Sequence, residues 1–280
     1  MRRQASVGSW IGAVVVVLAV VAAGAYLAYK ALHPDMPITT AAQPASPSSA
    51  PASAATSSIQ HPIAQAAAPA SASTAPLPAL DDSDTSVAAA LAMLAGGGDL
   101  RSLLLPQQVI TRIVATIDTL PRHELGTLML PLHPPKGAFA TTEIDGQTVI
   151  GEQNAARYTP YMQIVDSADP KALVAWYVHA YPLFQQAYRQ LGYPHGYFND
   201  RLIAAIDDML AAPEPVRPAA LERSRMLYVY ADPALESLSA GQRLLLRTGP
   251  ANEAKIKVKL RAIRAQLTGH VLPAMPARGR

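Results

Sequence analysis

The densest run of side chains able to do chemistry is Tyr193–Pro194–His195–Gly196–Tyr197–Phe198–Asn199–Asp200–Arg201. A histidine can relay protons or ligate a metal near neutral pH, and the amide, carboxylate and phenol groups beside it can hydrogen-bond a ligand. Glycine and proline place this run on a loop entering a helix, and loops on rigid scaffolds often carry function. Tyr193, His195, Tyr197, Asn199 and Asp200 are therefore candidate binding residues. A competing structural reading uses the same residues: Gly and Pro turn the chain, Asn199 or Asp200 caps the next helix, and the rings fill a core. A second candidate is cationic. Lys257, Arg261 and Arg264 share one flank of a C-terminal helix and could hold an anionic lipid or wall polymer. They could equally meet acidic groups of their own domain.

Several chemistries lack their motifs. The chain has no G-x-S-x-G elbow, no H-E-x-x-H pair, no G-x-x-x-x-G-K-[ST] loop and no S-x-x-K. It has no cysteine, which removes disulfides, thiolate zinc sites, iron–sulfur clusters and a cysteine nucleophile. Asp207 and Asp208 are adjacent, but neighbouring helical residues point about 100° apart, so both cannot easily face one substrate; they read as solvated surface. Asp81, Asp82, Ser83, Asp84 and Thr85 lack the glycine and glutamate of a calcium loop and read as a helix start, with short polar side chains capping the first amides and acids at the positive dipole end. No catalytic residue, metal or cofactor is expected, and the chain is read as a non-enzyme.

The flanking sequence predicts mostly helices. Val87, Leu91 and Leu94 mark a helix started by the acidic cluster and ended by Gly96–Gly97–Gly98. Ile110, Ile113, Val114 and Ile117 mark another, stopped by Pro121. Asp145–Gly146 between Thr- and Ile-rich flanks predicts a β-hairpin. Asp169–Pro170 opens the longest helix, whose Leu173, Tyr177, Tyr181, Phe184, Tyr188 and Leu191 form an aromatic stripe; Pro182 should kink or split it. The stripe reads as core, with a ligand groove as the alternative. A helix through Leu202, Ile206 and Met209 follows, then a short strand over Met226–Tyr230. Ser237 or Ser239 opens a helix closed by Gly249–Pro250, and the last helix runs from about Asn252 to Leu267. The expected fold class is mainly α, a compact helical domain with a small β-hairpin element.

Upstream, the texture differs. No charged residue lies between Arg3 and Lys30, and Trp10–Tyr29 is dominated by Val, Ala, Ile and Leu. Twenty helical residues span about 30 Å, the thickness of a bilayer core. Trp10, Tyr26 and Tyr29 flank the run, and Arg2 and Arg3 precede it, which favours an N-terminus inside and the remainder exported. From Pro37 to Pro78 the chain is mainly Ala, Pro, Ser and Thr, and Asp, Glu, Lys and Arg are absent between Asp35 and Asp81. Such a stretch buries too little to offset its ordering entropy. The layout expected is a cytoplasmic N-terminus (1–9), a transmembrane helix (10–32), a disordered linker (33–78), a mainly helical extracytoplasmic domain (79–268) and a disordered tail (269–280).

Charge argues against a nucleic-acid partner. Asp81–Gln242 holds 18 acidic and 11 basic residues, a balance of −7, whereas Arg243–Arg280 holds 9 basic residues and Glu253 alone, a balance of +8. A nucleic-acid surface needs one basic face across a domain, and here opposite ends can neutralise each other.

The runs Tyr158–Thr159–Pro160–Tyr161, YPLFQQAYRQLGYPHGYFNDRLIAAID (181–207) and YADPALESLSAGQRLLLRTGP (230–250), with Pro78–Leu94 and the IDTLPR run at 117–122, resemble an uncharacterised bacterial family, domain of unknown function 3014. The resemblance spans about Pro78–Leu267. It implies single-span envelope proteins carrying this domain on a linker, and it supplies no activity and no site residues. The expected role is a membrane-anchored periplasmic interaction or scaffold protein of the bacterial inner membrane, with an envelope protein as partner. The alternatives are a cell-envelope enzyme acting on peptidoglycan or lipid-linked glycans, marked by two carboxylates facing a cleft, and a lipid- or small-ligand-binding domain, marked by an enclosed apolar cavity.

Overall fold

A computed structural model describes residues 59–66, 76–96, 99–123, 130–224 and 227–269. The expected membrane span at 10–32, the N-terminus before it and the chain beyond Gly269 lie outside the described residues. Among the described residues no helix is long and apolar enough to cross a membrane.

Short 3-10 turns at Ile63–Gln65 and Leu80–Asp82 precede helices α1 (Asp84–Leu94), α2 (Leu100–Leu103) and α3 (Val109–Thr119). A hairpin of β1 (Thr141–Ile144) and β2 (Gln147–Ile150) leads into α4 (Gln153–Arg157), α5 (Thr159–Ser167), α6 (Pro170–Gln190) and α7 (Phe198–Leu210). A second hairpin, β3 (Leu221–Ser224) and β4 (Leu227–Tyr230), precedes α8 (Pro233–Glu236), α9 (Ala240–Thr248) and α10 (Pro250–Thr268). Among the described residues the fold is mainly helical, with two small antiparallel sheets.

Helices α3, α6, α7 and α10 enclose the core. Val109, Ile110, Ile113, Val114 and Ile117 of α3 are each buried to 1 % exposure or less, as the helical spacing of their apolar side chains requires. The aromatic stripe of α6 is core. Phe184 stacks on Phe198 of α7 with ring centroids 5.7 Å apart, and Tyr177 meets Phe184 edge-on at 5.1 Å. Each fully buried ring contributes roughly 2–3 kcal/mol through removal of apolar surface from water.

Pro182 does not split α6, which is continuous from Pro170 to Gln190. Pro182 is exposed while Tyr181, Leu183 and Phe184 beside it are buried, so both halves pack on one core and that shared burial offsets the missing backbone hydrogen bond. Asp169 caps the helix as expected, accepting from the amides of Lys171 and Ala172. Ser239 likewise accepts from Gln242 N at the start of α9.

The first hairpin has the expected turn. Asp145 and Gly146 both take positive φ, 52° and 74°, and join strands in the register Thr141↔Ile150 to Ile144↔Gln147. Replacing Gly146 by alanine puts a Cβ into a left-handed conformation, and thermal unfolding is expected to show a loss of about 1 kcal/mol. The second hairpin goes beyond the single strand expected at Met226–Tyr230. Its first strand, Leu221–Ser224, has three exposed polar residues and so lacks the apolar alternation that betrays a strand. A bridge between Val149 and Ala220 ties the two hairpins together.

The capping expectations hold in part. Ser83 stands at the N-cap of α1 with Asp84 in the first turn, but the Ser83 hydroxyl donates to Leu80 O and no side chain caps the first amides. Asp84 instead accepts from Gln108 N at 2.7 Å and Val109 N at 2.8 Å, and so caps the start of α3. At α7 the N-cap is Tyr197, and neither Asn199 nor Asp200 caps that helix.

Candidate functional site

Asn199 and Asp200 sit in the first turn of α7, and their side chains reach a segment some 140 residues earlier in sequence. Residues 59–66 fall within the stretch read as linker, yet they take defined structure and lie against the domain. The Asp200 carboxylate accepts from Gln60 N at 3.0 Å and from His61 N at 2.7 Å. Asn199 Nδ2 donates to His61 O at 2.8 Å, and Ile63 N donates to the Tyr197 hydroxyl at 2.7 Å. Pro62, which has no N–H, stands between the amides that are held. Beyond it a 3-10 turn, closed by Gln65 N to Pro62 O and Ala66 N to Ile63 O, places Ala66 in the core at 4 % exposure. Ile63 packs against the same core.

The gripping side chains are braced from behind. Asn199 is fully buried, and its Oδ1 accepts from the Tyr177 hydroxyl at 3.2 Å, which orients Nδ2 outward. Burial raises the Tyr177 and Tyr181 phenols above their ordinary pKa, so both stay protonated donors. Tyr181 donates to Gln185 Oε1 at 2.7 Å. Gln185 in turn accepts from Phe198 N and donates to Gly196 O, fixing the loop that leads into α7. Tyr181 and Tyr197 rings lie 5.6 Å apart.

A buried carboxylate anchors the other end of this loop. Asp118, 4 % exposed near the C-terminus of α3, accepts from Arg122 Nη2 at 2.5 Å, Arg201 Nε at 2.9 Å and the Tyr193 hydroxyl at 3.1 Å. Arg201 also donates to the Asp118 carbonyl. The Tyr193 ring stacks on Tyr188 at 4.6 Å. Two of the sequence runs named above, IDTLPR and YPHGYFNDR, therefore meet through one carboxylate. Tyr193 is part of this anchor, and His195 is exposed.

The cationic candidates are largely spent on the domain itself. Lys257 is 2 % exposed, and its ammonium donates to Ala212 O at 2.7 Å and Glu214 Oε1 at 2.8 Å. Glu253 Oε1 lies 2.8 Å away and completes a buried ion pair. Arg264 makes a two-pronged contact with Asp207, with Nε to Oδ1 at 2.5 Å and Nη2 to Oδ2 at 3.0 Å. The Lys257 hydrogen bond and charge lower the Glu214 pKa, and half-buried Arg261 adds a smaller electrostatic contribution in the same direction. The flank thus meets acidic groups of its own domain, and Asp207 is paired rather than merely solvated. Asp208 accepts from the Ser239 hydroxyl at 2.6 Å.

Burial of Glu253 raises its carboxyl pKa above the ordinary 4.5, with Lys257 opposing the shift. A raised folded-state pKa favours folding below about pH 4.5, and that contribution is lost as pH rises through the folded-state value. Glu253→Gln removes this dependence. Its stability relative to the parent is expected to climb from pH 4.5 toward neutrality in thermal unfolding, whereas curves that stay parallel would show that the carboxylate is not destabilised there.

Sequence reasoning missed Asp118, Gln185 and the docked segment. A weak signal existed for the last: Ile59–Gln60–His61–Pro62–Ile63 is the one cluster of bulky side chains within the Ala-, Pro- and Ser-rich stretch. Among the described residues no group of three or more His, Asp or Glu is placed to hold a metal ion. A family model described as "Protein of unknown function (DUF3014)" matches residues 109–264, a narrower span than the resemblance in sequence. No curated protein and no solved structure matches the chain.

Proposed function

This chain belongs to the protein family of unknown function DUF3014, and we propose that it is a membrane-tethered interaction module of the bacterial cell envelope. The observation that carries the interaction role is the grip of Tyr197, Asn199 and Asp200 on the main chain of residues 60–63. These side chains are arranged to hold the main chain of a polypeptide bent ahead of a proline. The apolar run Trp10–Tyr29 and the arginines before it support the tether and the export of the domain. The Ala-, Pro- and Ser-rich stretch supports reach, because an extended chain rises about 3.1 Å per residue.

A reporter enzyme that works only outside the cytoplasm, fused after Arg280, is expected to be active, and alkaline carbonate is expected to leave the chain in the membrane fraction. A photo-crosslinking residue at exposed His195 is expected to capture a discrete envelope protein in cells. Release by carbonate, a reporter active only in the cytoplasm, or no capture above background overturns the proposal.

A further inference from the structure

We infer that the surface of Tyr197, Asn199 and Asp200, backed by Tyr181, is a receptor site for an uncharged peptide that bends just ahead of a Pro–aliphatic pair, and that Gln60–Ala66 is its displaceable cis occupant. The inference deepens the interaction role proposed above and rests on it.

Four hydrogen bonds join the segment to these three side chains, and all four go to its main chain: Gln60 N and His61 N to Asp200, Ile63 N to Tyr197, and His61 O from Asn199. Such a site reads backbone conformation first. Pro62 has φ −57° and ψ 134°, polyproline II values, and Ala66 returns to them after the turn. Proline fits because the amide at its position has no acceptor to satisfy. The side-chain requirements are few: an aliphatic group at the position of Ile63 and a small residue at Ala66, which is 4 % exposed. Gln60, Ala64 and Gln65 are exposed and free to vary.

The site is built to be filled. Asn199 is fully buried with its oxygen committed to Tyr177, and its Nδ2 donates to His61 O. Emptying the site breaks that bond and opens the donor to solvent, where another main-chain carbonyl can take it up. The cis occupant is held by four main-chain bonds, the half-buried Ile63 side chain and the single buried methyl of Ala66, so a second segment presenting the same pattern can replace it. A tethered occupant has an effective concentration on the order of 1 mM, so a free peptide of ~10 µM intrinsic affinity is weakened roughly a hundredfold while the cis segment is docked.

The test uses the purified full chain and a fluorescent synthetic peptide of residues 59–66, read by anisotropy. Ile63→Asp in the chain releases the cis segment and is expected to bind the peptide at least tenfold more tightly than the parent. Adding Asp200→Asn to that variant is expected to lose at least tenfold. Equal binding by the parent and Ile63→Asp, or no effect of Asp200→Asn, overturns the proposal. Because Ile63→Asp could perturb folding, amide exchange of the parent supplies a second reading. Saturating peptide should speed exchange at Gln60, His61 and Ile63, and unchanged exchange also overturns the proposal. Both readouts are independent of which side of a membrane the domain occupies. A failed topology experiment therefore leaves them intact, and their failure leaves the tether intact.

Discussion

Replacing Asp118 by alanine lowers the unfolding free energy by about 3 kcal/mol, the range measured when one partner of a buried ion pair is deleted. The cause is what stays behind. Arg201, with its side chain 24 % exposed, loses the carboxylate at 2.9 Å, and the Tyr193 hydroxyl loses an acceptor. The substitution also unties α3 from the loop that delivers Tyr197, Asn199 and Asp200. The loss should therefore be accompanied by faster exchange of the Gln60 and His61 amides. Arg122→Ala is the matching control. Its side chain is 50 % exposed, so solvent already screens its pairing with Asp118, and its loss should cost about 0.5 kcal/mol. Chemical denaturation followed by circular dichroism separates the two. Similar midpoints for Asp118→Ala and Arg122→Ala would show that the carboxylate is not the hub.

Lys257→Ala is the second large effect, again about 3 kcal/mol. The substitution leaves Glu253, 3 % exposed, without its ion-pair partner, removes the donor to Ala212 O and opens the space of a buried four-carbon stem. Glu214 is 68 % exposed and can turn to water, so its share of the loss is small. The electrostatic origin makes a sharper claim possible. The double variant Glu253→Gln/Lys257→Met removes both buried charges while keeping their volume, and it is expected to fall within about 1 kcal/mol of the parent. If the double variant is as unstable as Lys257→Ala, packing or the Ala212 contact dominates instead of the charge pair.

These two sites show why a cationic flank and an acidic one were hard to interpret from sequence. The charge count placed an excess of +8 over Arg243–Arg280 and −7 over Asp81–Gln242, which is compatible with a ligand surface and with self-neutralisation. The fold brings α10 against α7 and beside Glu214, so Arg264 meets Asp207 and Lys257 meets Glu214. Charge balance along a chain bounds the possibilities, whereas pairing depends on which helices become neighbours.

What the amino-acid order determined alone is whatever is decided within one turn or one strand pair. Asp169–Pro170 opening α6, Ser239 opening α9, Asp145–Gly146 turning the first hairpin and the buried faces of α3 and α6 are set by capping, φ preference and periodicity, all of which act over a few residues. The tertiary structure decided where polar side chains with several possible partners ended up. Asp84 could have capped its own helix and caps α3 instead; Asn199 and Asp200 could have capped α7 and hold residues 60–63. A carboxylate satisfies a backbone amide equally well wherever that amide lies in the sequence. The choice is made by packing of the apolar faces, which fixes which amides come within 3 Å, and local pattern carries no information about that distance.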